Sequence, residues 1–374
     1  MGVQCGIIGL PNVGKSTLFN ALTSSVQAAS ENYPFCTIDP NVGVVELNDK
    51  RLQVLCHLIQ TKKVVPVSME FVDIAGLVRG ASKGEGLGNK FLGHIRQTQA
   101  VAHVVRCFED DQVIHVEGGV DPLRDIGIIE SELILADHET LENALGRYRK
   151  WAKTPRKEVP AVLAMLEALS AHLQKLEPAR TFDAKSYAKE FVEAAHVYRD
   201  LHLITAKKVL YVCNVAEEYF TENKQDNPHV QAVLKRAESE GAAVVVISGK
   251  IEAELATLSP QEKTEMLEAM GMGESGLDRL AMKAYEILDL CTYFTAGEKE
   301  IRAWTFHKGA KAPEAAGVIH SDFERGFICA EVFRLEDLQK AGTKSKMKEA
   351  GHLRTEGKEY LVQDGDVMEF RFNV

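Results

Sequence analysis

Nowhere in this sequence do two cysteines stand as Cys-x-x-Cys. The seven cysteines are scattered at positions 5, 36, 56, 107, 213, 291 and 329. That excludes a zinc framework and a disulfide scaffold, and a reducing, cytoplasmic compartment is expected. No apolar run is long enough to span a membrane. The opening stretch GVQCGIIGL lacks a basic leader and is expected to be a first strand rather than a signal peptide. Gly2 lacks the Ser or Thr at position 6 that myristoylation needs, since Gly6 stands there. Repeats and low-complexity tracts are absent. Positive charge is also scarce: 44 Lys and Arg face 54 Asp and Glu, a net charge of −10. A surface of that sign does not bind nucleic acid indiscriminately, although a local basic patch still could.

A chain of 374 residues that is 45% hydrophobic predicts two or three globular domains. Apolar strand candidates at 3–8, 67–73, 101–108, 208–213 and 243–247 alternate with helical stretches near 15–23, 88–99, 229–240 and 276–290. This alternation predicts an α/β fold with a parallel, doubly wound sheet. It is interrupted from 137 to 204. There Val159, Val162, Leu166, Leu169, Leu173 and Leu176 form a heptad seam, and Leu141, Leu145, Tyr148 and Ala152 form another before the breaker-rich KTPRKEVP. An antiparallel helical hairpin inserted into the first domain is expected. From 291 a small β-rich unit follows, with EIRAWTF, EYLVQ and VMEFRFNV as strands, a turn at Asp364-Gly365, and Met368, Phe370, Phe372 and Val374 on one face. The expected organisation is 1–136 with 205–290, then 137–204, then 291–374.

Gly9-Leu10-Pro11-Asn12-Val13-Gly14-Lys15-Ser16 fits G-x-x-x-x-G-K-[ST] and lies between a strand and a helix, as that motif requires. The run Asn12, Val13, Gly14, Lys15, Ser16 and Thr17 is the candidate phosphate cradle. Lys15 is suited to bridge β- and γ-phosphates and Ser16 to ligate Mg²⁺. Asp73 ends a strand in FVDIAG, where it would hold Mg²⁺ through water, and the Gly76 amide would sense the γ-phosphate. Thr37 is the candidate second Mg²⁺ ligand. Leu77 follows Gly76 where Ras-like switches carry the glutamine that orients the attacking water, and leucine cannot do so. The stretch NVAE raises the question of the base. A guanine-specific switch would carry Asn-Lys-x-Asp; here Val215 replaces the lysine and Glu217 the aspartate. Asn214 can bond to N7 and the 6-substituent. Glu217 is one methylene too long for guanine, which leaves N1–H and N2–H₂ without an acceptor and favours ATP by about 1–3 kcal/mol.

GLPNVGKST, VDIAGLVRGASKGEGLGNKF, HVVRCFEDDQVIHV, NVAE, AAGVIHSDFERGFICAEV and VQDGDVMEFRFNV together resemble the YchF-type Obg-like ATPases over essentially the whole chain. The resemblance implies a Ras-like P-loop domain, a coiled-coil insertion and a C-terminal TGS domain of β-grasp type. It also implies ribosome association and a role in translation and stress responses. This chain has Ser248-Gly249-Lys250 where related switches carry Ser-Ala-Lys, which places Ser248 and Gly249 at the base pocket with its fine geometry open. By the same resemblance Asn12 helps to hold K⁺ beside the phosphates. For the missing glutamine, His94 and His115 are the candidates. His94 has the spacing of a structural residue. For His115, in FEDDQVIHVEGG, the catalytic and surface-loop readings stand level on the residues alone, and the resemblance favours the catalytic one.

Arg147, Arg149, Lys150, Lys153, Arg156 and Lys157 cluster at the expected hairpin tip without an intervening acid. They favour a phosphate-binding tip over a merely solvated turn, with ribosomal RNA as the partner. QKAGTKSKMK in the TGS unit is weaker evidence of the same kind. Cys36 reads as a small loop residue rather than a reactive thiol. The chain is expected to be a cytoplasmic monomer that hydrolyses ATP in preference to GTP. Its rivals are a GTPase of relaxed base selectivity and a nucleotide-gated RNA-binding module with negligible turnover.

Overall fold

The computed structural model describes residues 3–29, 41–74, 87–110, 112–113, 115–116, 118–154, 156–188, 192–221 and 226–373. Six strands form the first sheet: β1 (Val3–Ile8), β2 (Val42–Glu46), β4 (Ser68–Asp73), β5 (Ala100–Arg106), β6 (Lys208–Asn214) and β7 (Ala243–Ile247). Their order is β2-β4-β1-β5-β6-β7. All pair in parallel except β2, which runs antiparallel to β4 at the edge. Every residue of β5 is buried, as expected for a central strand covered on both faces. The covering helices are α1 (Lys15–Ala29), α2 (Lys50–Ile59), α3 (Leu87–Gln97), the first part of α4 (Pro122–Trp151), α9 (Pro228–Glu240), α10 (Gly249–Leu255) and α12 (Gly276–Ile287), with α8 (Glu218–Thr221) and α11 (Pro260–Ala269) beside them.

The antiparallel β2 and the helix α2 are absent from the strands and helices expected above. Asp49 starts α2 by accepting from the Arg51 amide, and Leu52 and Leu55 turn inward at helical spacing.

Helix α4 is continuous for 30 residues, so residue 137 lies inside it. It packs on α5 (Val159–Gln174). Glu142 meets Ser170 while Arg149 meets Glu167, so the two arms run antiparallel. Leu141, Leu145, Val159, Val162, Leu166, Leu169 and Leu173 are buried between them. Leu176 is not part of the seam: α5 has already ended, and Leu176 is 56% exposed with φ 60°. Helices α6 (Ala184–Ala188) and α7 (Val192–Asp200) add Ala194 to the same core, so the arm is a small helical cluster rather than a bare hairpin.

The second sheet has the order β11-β10-β12-β8-β9-β3. It contains β8 (Leu290–Ala296), β9 (Ile301–His307), β10 (Phe327–Arg334), β11 (Arg354–Glu356) and β12 (Asp366–Phe372), with α13 (Ala312–Ile319) packed on it. EYLVQ is not a strand, although Leu361 makes one isolated bridge to Lys311. On β12 Met368 is buried but Phe372 is 40% exposed, so the expected apolar face reaches the core at one end. The sixth strand, β3 (Val64–Val65), belongs in sequence to the first domain and pairs in parallel with Ile301 and Arg302.

Candidate active site

At the carboxyl ends of β1, β5, β6 and β7 lies a cleft of about 980 Å³, the position where open α/β sheets take ligands. The loop between β1 and α1 forms one wall with Asn12, Gly14, Lys15, Ser16 and Thr17. Asn12 has φ 64° and Gly14 φ 92°, which turns the loop back over the start of α1. Side chains of Ser16 and Thr17 are exposed at the head of that helix. Val13 is buried and anchors the loop from below. Lys15 Nζ donates to Asp73 Oδ1, so the P-loop lysine and the acid ending β4 meet at one end of the site. The Ser16 hydroxyl and the Asp73 carboxylate are hard oxygen donors, the kind that Mg²⁺ takes together with phosphate and water. Thr37, Gly76, Leu77 and Cys36 lie outside the described residues.

The opposite end of the cleft is formed by Asn214, Val215, Glu217, Ser248 and Gly249. Asn214 is buried and bonded on both sides: Nδ2 donates to the Val13 carbonyl at 2.9 Å, and Oδ1 accepts from the Gly249 amide at 2.9 Å. A Cβ on residue 14 would come within 2.1 Å of Asn214 Nδ2, so Gly14 is required by contact as well as by φ. The structure gives Asn214 a positioning role that the motif does not show. Its amide first clamps the P-loop to the β7–α10 turn, and one Nδ2 hydrogen is left over. Val215 is 3% exposed and its side chain belongs to the core beneath the cleft. Glu217 Oε1 pairs with Lys250 Nζ at 3.0 Å, which holds the Lys250 ammonium in its charged form. Lys250 was quoted above only as part of a motif.

Arg106 was missed. It ends β5, is 1% exposed, and its guanidinium donates to the carbonyls of Phe108 (3.0 Å), Asp110 (3.1 Å) and Val113 (2.8 Å). Phe108, Glu109, Asp110 and Val113 line the cleft, so Arg106 shapes one of its walls. The signal was a lone charge inside an apolar central strand: a buried guanidinium persists only when its donors are satisfied.

Neither candidate histidine is where a surface loop or a structural helix face would put it. His94 on α3 is exposed. His115 is partly buried, with its side chain 5% exposed and Nε2 at 2.8 Å from Asp125 Oδ2 in the first turn of α4. It is not among the residues lining the cleft, although Val113, two positions earlier, is.

Comparison with known proteins places the chain among relatives that match it from end to end. A family described as 50S ribosome-binding GTPase matches residues 4–137. The YchF-GTPase C-terminal family, described as a protein of unknown function, matches 290–373. The chain is similar to the Ribosome-binding ATPase YchF of Bacillus subtilis (strain 168), at 54% identity over 100% of both chains. It is also similar to the protein of that name from Haemophilus influenzae, at 51% identity over 100% of both. Among solved structures, the Schizosaccharomyces pombe YchF GTPase superposes with a TM-score of 0.86 at 38% identity, covering 99% of this chain and 98% of that one.

Proposed function

The chain belongs to the YchF family, and from that premise we propose that it is a ribosome-binding ATPase, a nucleotide-dependent switch acting in translation and stress response. The observation that carries the choice of ATP is the Glu217–Lys250 pair at the base end of the cleft. Guanine needs an acidic acceptor for N1–H and N2–H₂. Here the carboxylate sits one methylene further out, with its charge already answered by Lys250. Adenine makes no such demand.

At the other end, Lys15 and the P-loop amides bind the phosphates, and Ser16 and Asp73 hold Mg²⁺, which when bound offsets phosphate charge. Thr37 as a further Mg²⁺ ligand and Gly76 as the γ-phosphate sensor complete the proposal. K⁺ beside the phosphates is proposed at Asn12, a residue of the cleft wall. We assign the water-orienting role to His115. Asp125 fixes its ring, and the segment carrying Val113 must bring it into the cleft. The ribosomal contacts are proposed at the basic tip of the helical arm and on the C-terminal unit, with the protein a cytoplasmic monomer. Among the described residues no helix is long and apolar enough to cross a membrane.

Calorimetric titration with ATP and GTP, joined to single-turnover hydrolysis with and without ribosomes in KCl and NaCl, tests this reading. ATP should bind roughly tenfold or more tightly, as one unmatched buried donor predicts. KCl should speed hydrolysis, and ribosomes should alter turnover. Equal affinities would instead support a GTPase of relaxed selectivity, and absence of turnover under every condition a nucleotide-gated binding module.

A further inference from the structure

The far end of the helical arm carries an aromatic side chain that no part of the nucleotide cycle uses. Trp151, the last residue of α4, is 39% exposed on the most basic part of the molecule. Its backbone is tightly held, because its carbonyl accepts from both the Thr154 amide (2.9 Å) and the Thr154 hydroxyl (2.8 Å). Its ring is held too. Tyr148 meets it edge-on at 4.9 Å and 71°, and the Arg156 guanidinium lies over it at 5.2 Å. Around it Arg147, Lys150, Lys153, Arg156 and Lys157 are exposed and carry no ion pair among the described residues. Arg149 faces Glu167 at 3.6 Å, with both side chains about half exposed.

We propose that Trp151 is a nucleobase-stacking point, and that the arm tip binds an unpaired base of RNA whose flanking phosphates meet the surrounding cations. The inference rests on the reading of the tip as an RNA contact and adds its chemical class: single-stranded or looped RNA rather than duplex. The charges alone would suit any polyanion. A preorganised indole with the Arg156 guanidinium over one face can offer its other face to a base while the guanidinium meets the neighbouring phosphate, an arrangement that single strands supply and stacked duplexes withhold.

The test measures fluorescence anisotropy of labelled oligoadenylate and of an RNA duplex with the full-length protein at several salt concentrations. Trp151→Ala should weaken oligoadenylate binding by about 5- to 100-fold, the range of one lost stacking contact. Duplex binding and the salt slope should stay unchanged, because no phosphate contact is removed. Trp151→Phe should recover part of the loss. The chain has two tryptophans, so in a Trp304→Phe background Trp151 emission should be quenched by oligoadenylate and not by duplex. Affinity within twofold of the parent after Trp151→Ala, or equal quenching by duplex, overturns the stacking proposal. Changing Arg149, Lys150, Lys153 and Arg156 to Glu separates the two levels. If that variant loses both RNAs while Trp151→Ala loses neither, the basic tip stands and the stacking fails. If it loses neither, the tip reading fails as well.

Discussion

The nucleotide domain meets its two neighbours through opposite chemistries. Toward the C-terminal sheet the contact is hydrocarbon: Leu52 and Leu55 of α2 share one continuous core with Phe294, Ile301, Phe333 and Val367, and β3 extends the partner's sheet. Toward the helical arm the contact is buried charge. Arg180, in the arm, donates to Glu130 and to Glu240 (2.7 Å), Arg236 donates to Glu130 as well, and the Tyr211 hydroxyl donates to Glu240 at 2.9 Å. Beside them Asp137 accepts from the Ile204 amide (2.8 Å), the Thr205 amide (2.7 Å) and the Thr205 hydroxyl (2.6 Å) where the chain returns to β6. The arm keeps its own separate apolar core. Hydrocarbon burial is non-directional and fuses two bodies; an ionic joint, here with the Arg180 Nε left without a hydrogen-bond partner among the described residues, gains little net stability but fixes one orientation. The difference suggests a C-terminal unit that moves with the nucleotide domain and an arm whose pose, beyond what the continuous helix α4 sets, is held by a handful of charges.

The comparison breaks most visibly in the joints themselves. Glu130→Ala removes the carboxylate that Arg180 and Arg236 share and leaves Glu240 to answer both guanidiniums; it should cost about 3 kcal/mol, with hydrogen exchange rising first in residues 179–188 and 192–206. Phe294→Ala removes a fully buried ring from the shared core at about 3–5 kcal/mol and should lower a single urea transition common to both units. Loss of one unit ahead of the other in Phe294→Ala would show that the core is not shared in practice.

Acid should sharpen the contrast by a smaller amount. His103 sits on β5 beside the polar joint, with the Tyr211 ring at 5.9 Å, and among the described residues its Nε2 has no hydrogen-bond partner. Burial first, then the Arg236 and Arg180 charges, push its pKa down to about 3. The folded state therefore holds the ring neutral, and its contribution is intact above the unfolded value of about 6.5 and drains away as pH falls toward 3. Between about pH 6.5 and pH 5 stability should drop by about 2 kcal/mol on this account, and His103→Leu should flatten that slope in urea melts. The least effect is expected from Arg51, a half-exposed tie between Asp49 and Asp364 across the hydrocarbon joint. Arg51→Ala should cost about 1 kcal/mol or less.

Much of this was legible in the residues. The P-loop, the strand ending at Asp73, the central strands and the seam from Leu141 to Leu173 all carry local patterns, and the structure places Lys15 beside Asp73. What escaped was tertiary. Val64–Val65 is too short for any periodicity, and its partner lies far along the chain. The NVAE motif singles out Asn214, yet its bonds to Val13 and Gly249 depend on how close three loops come. His115 reads as a loop residue because nothing near it in sequence announces Asp125. EYLVQ has strand composition but pairs at a single position, because β11 occupies the edge instead.

The pairing of Val64–Val65 with Ile301–Arg302 also sets a clock. During synthesis the first strand of that pair leaves the tunnel more than two hundred residues before its partner exists. At about 5–20 residues per second, that is roughly ten to fifty seconds in which its edge and the α2 face beside it have nothing to close against. On that timing this edge closes only once the last quarter of the chain has emerged, and a chain truncated before residue 301 should leave Leu52, Leu55 and Val65 more open to solvent.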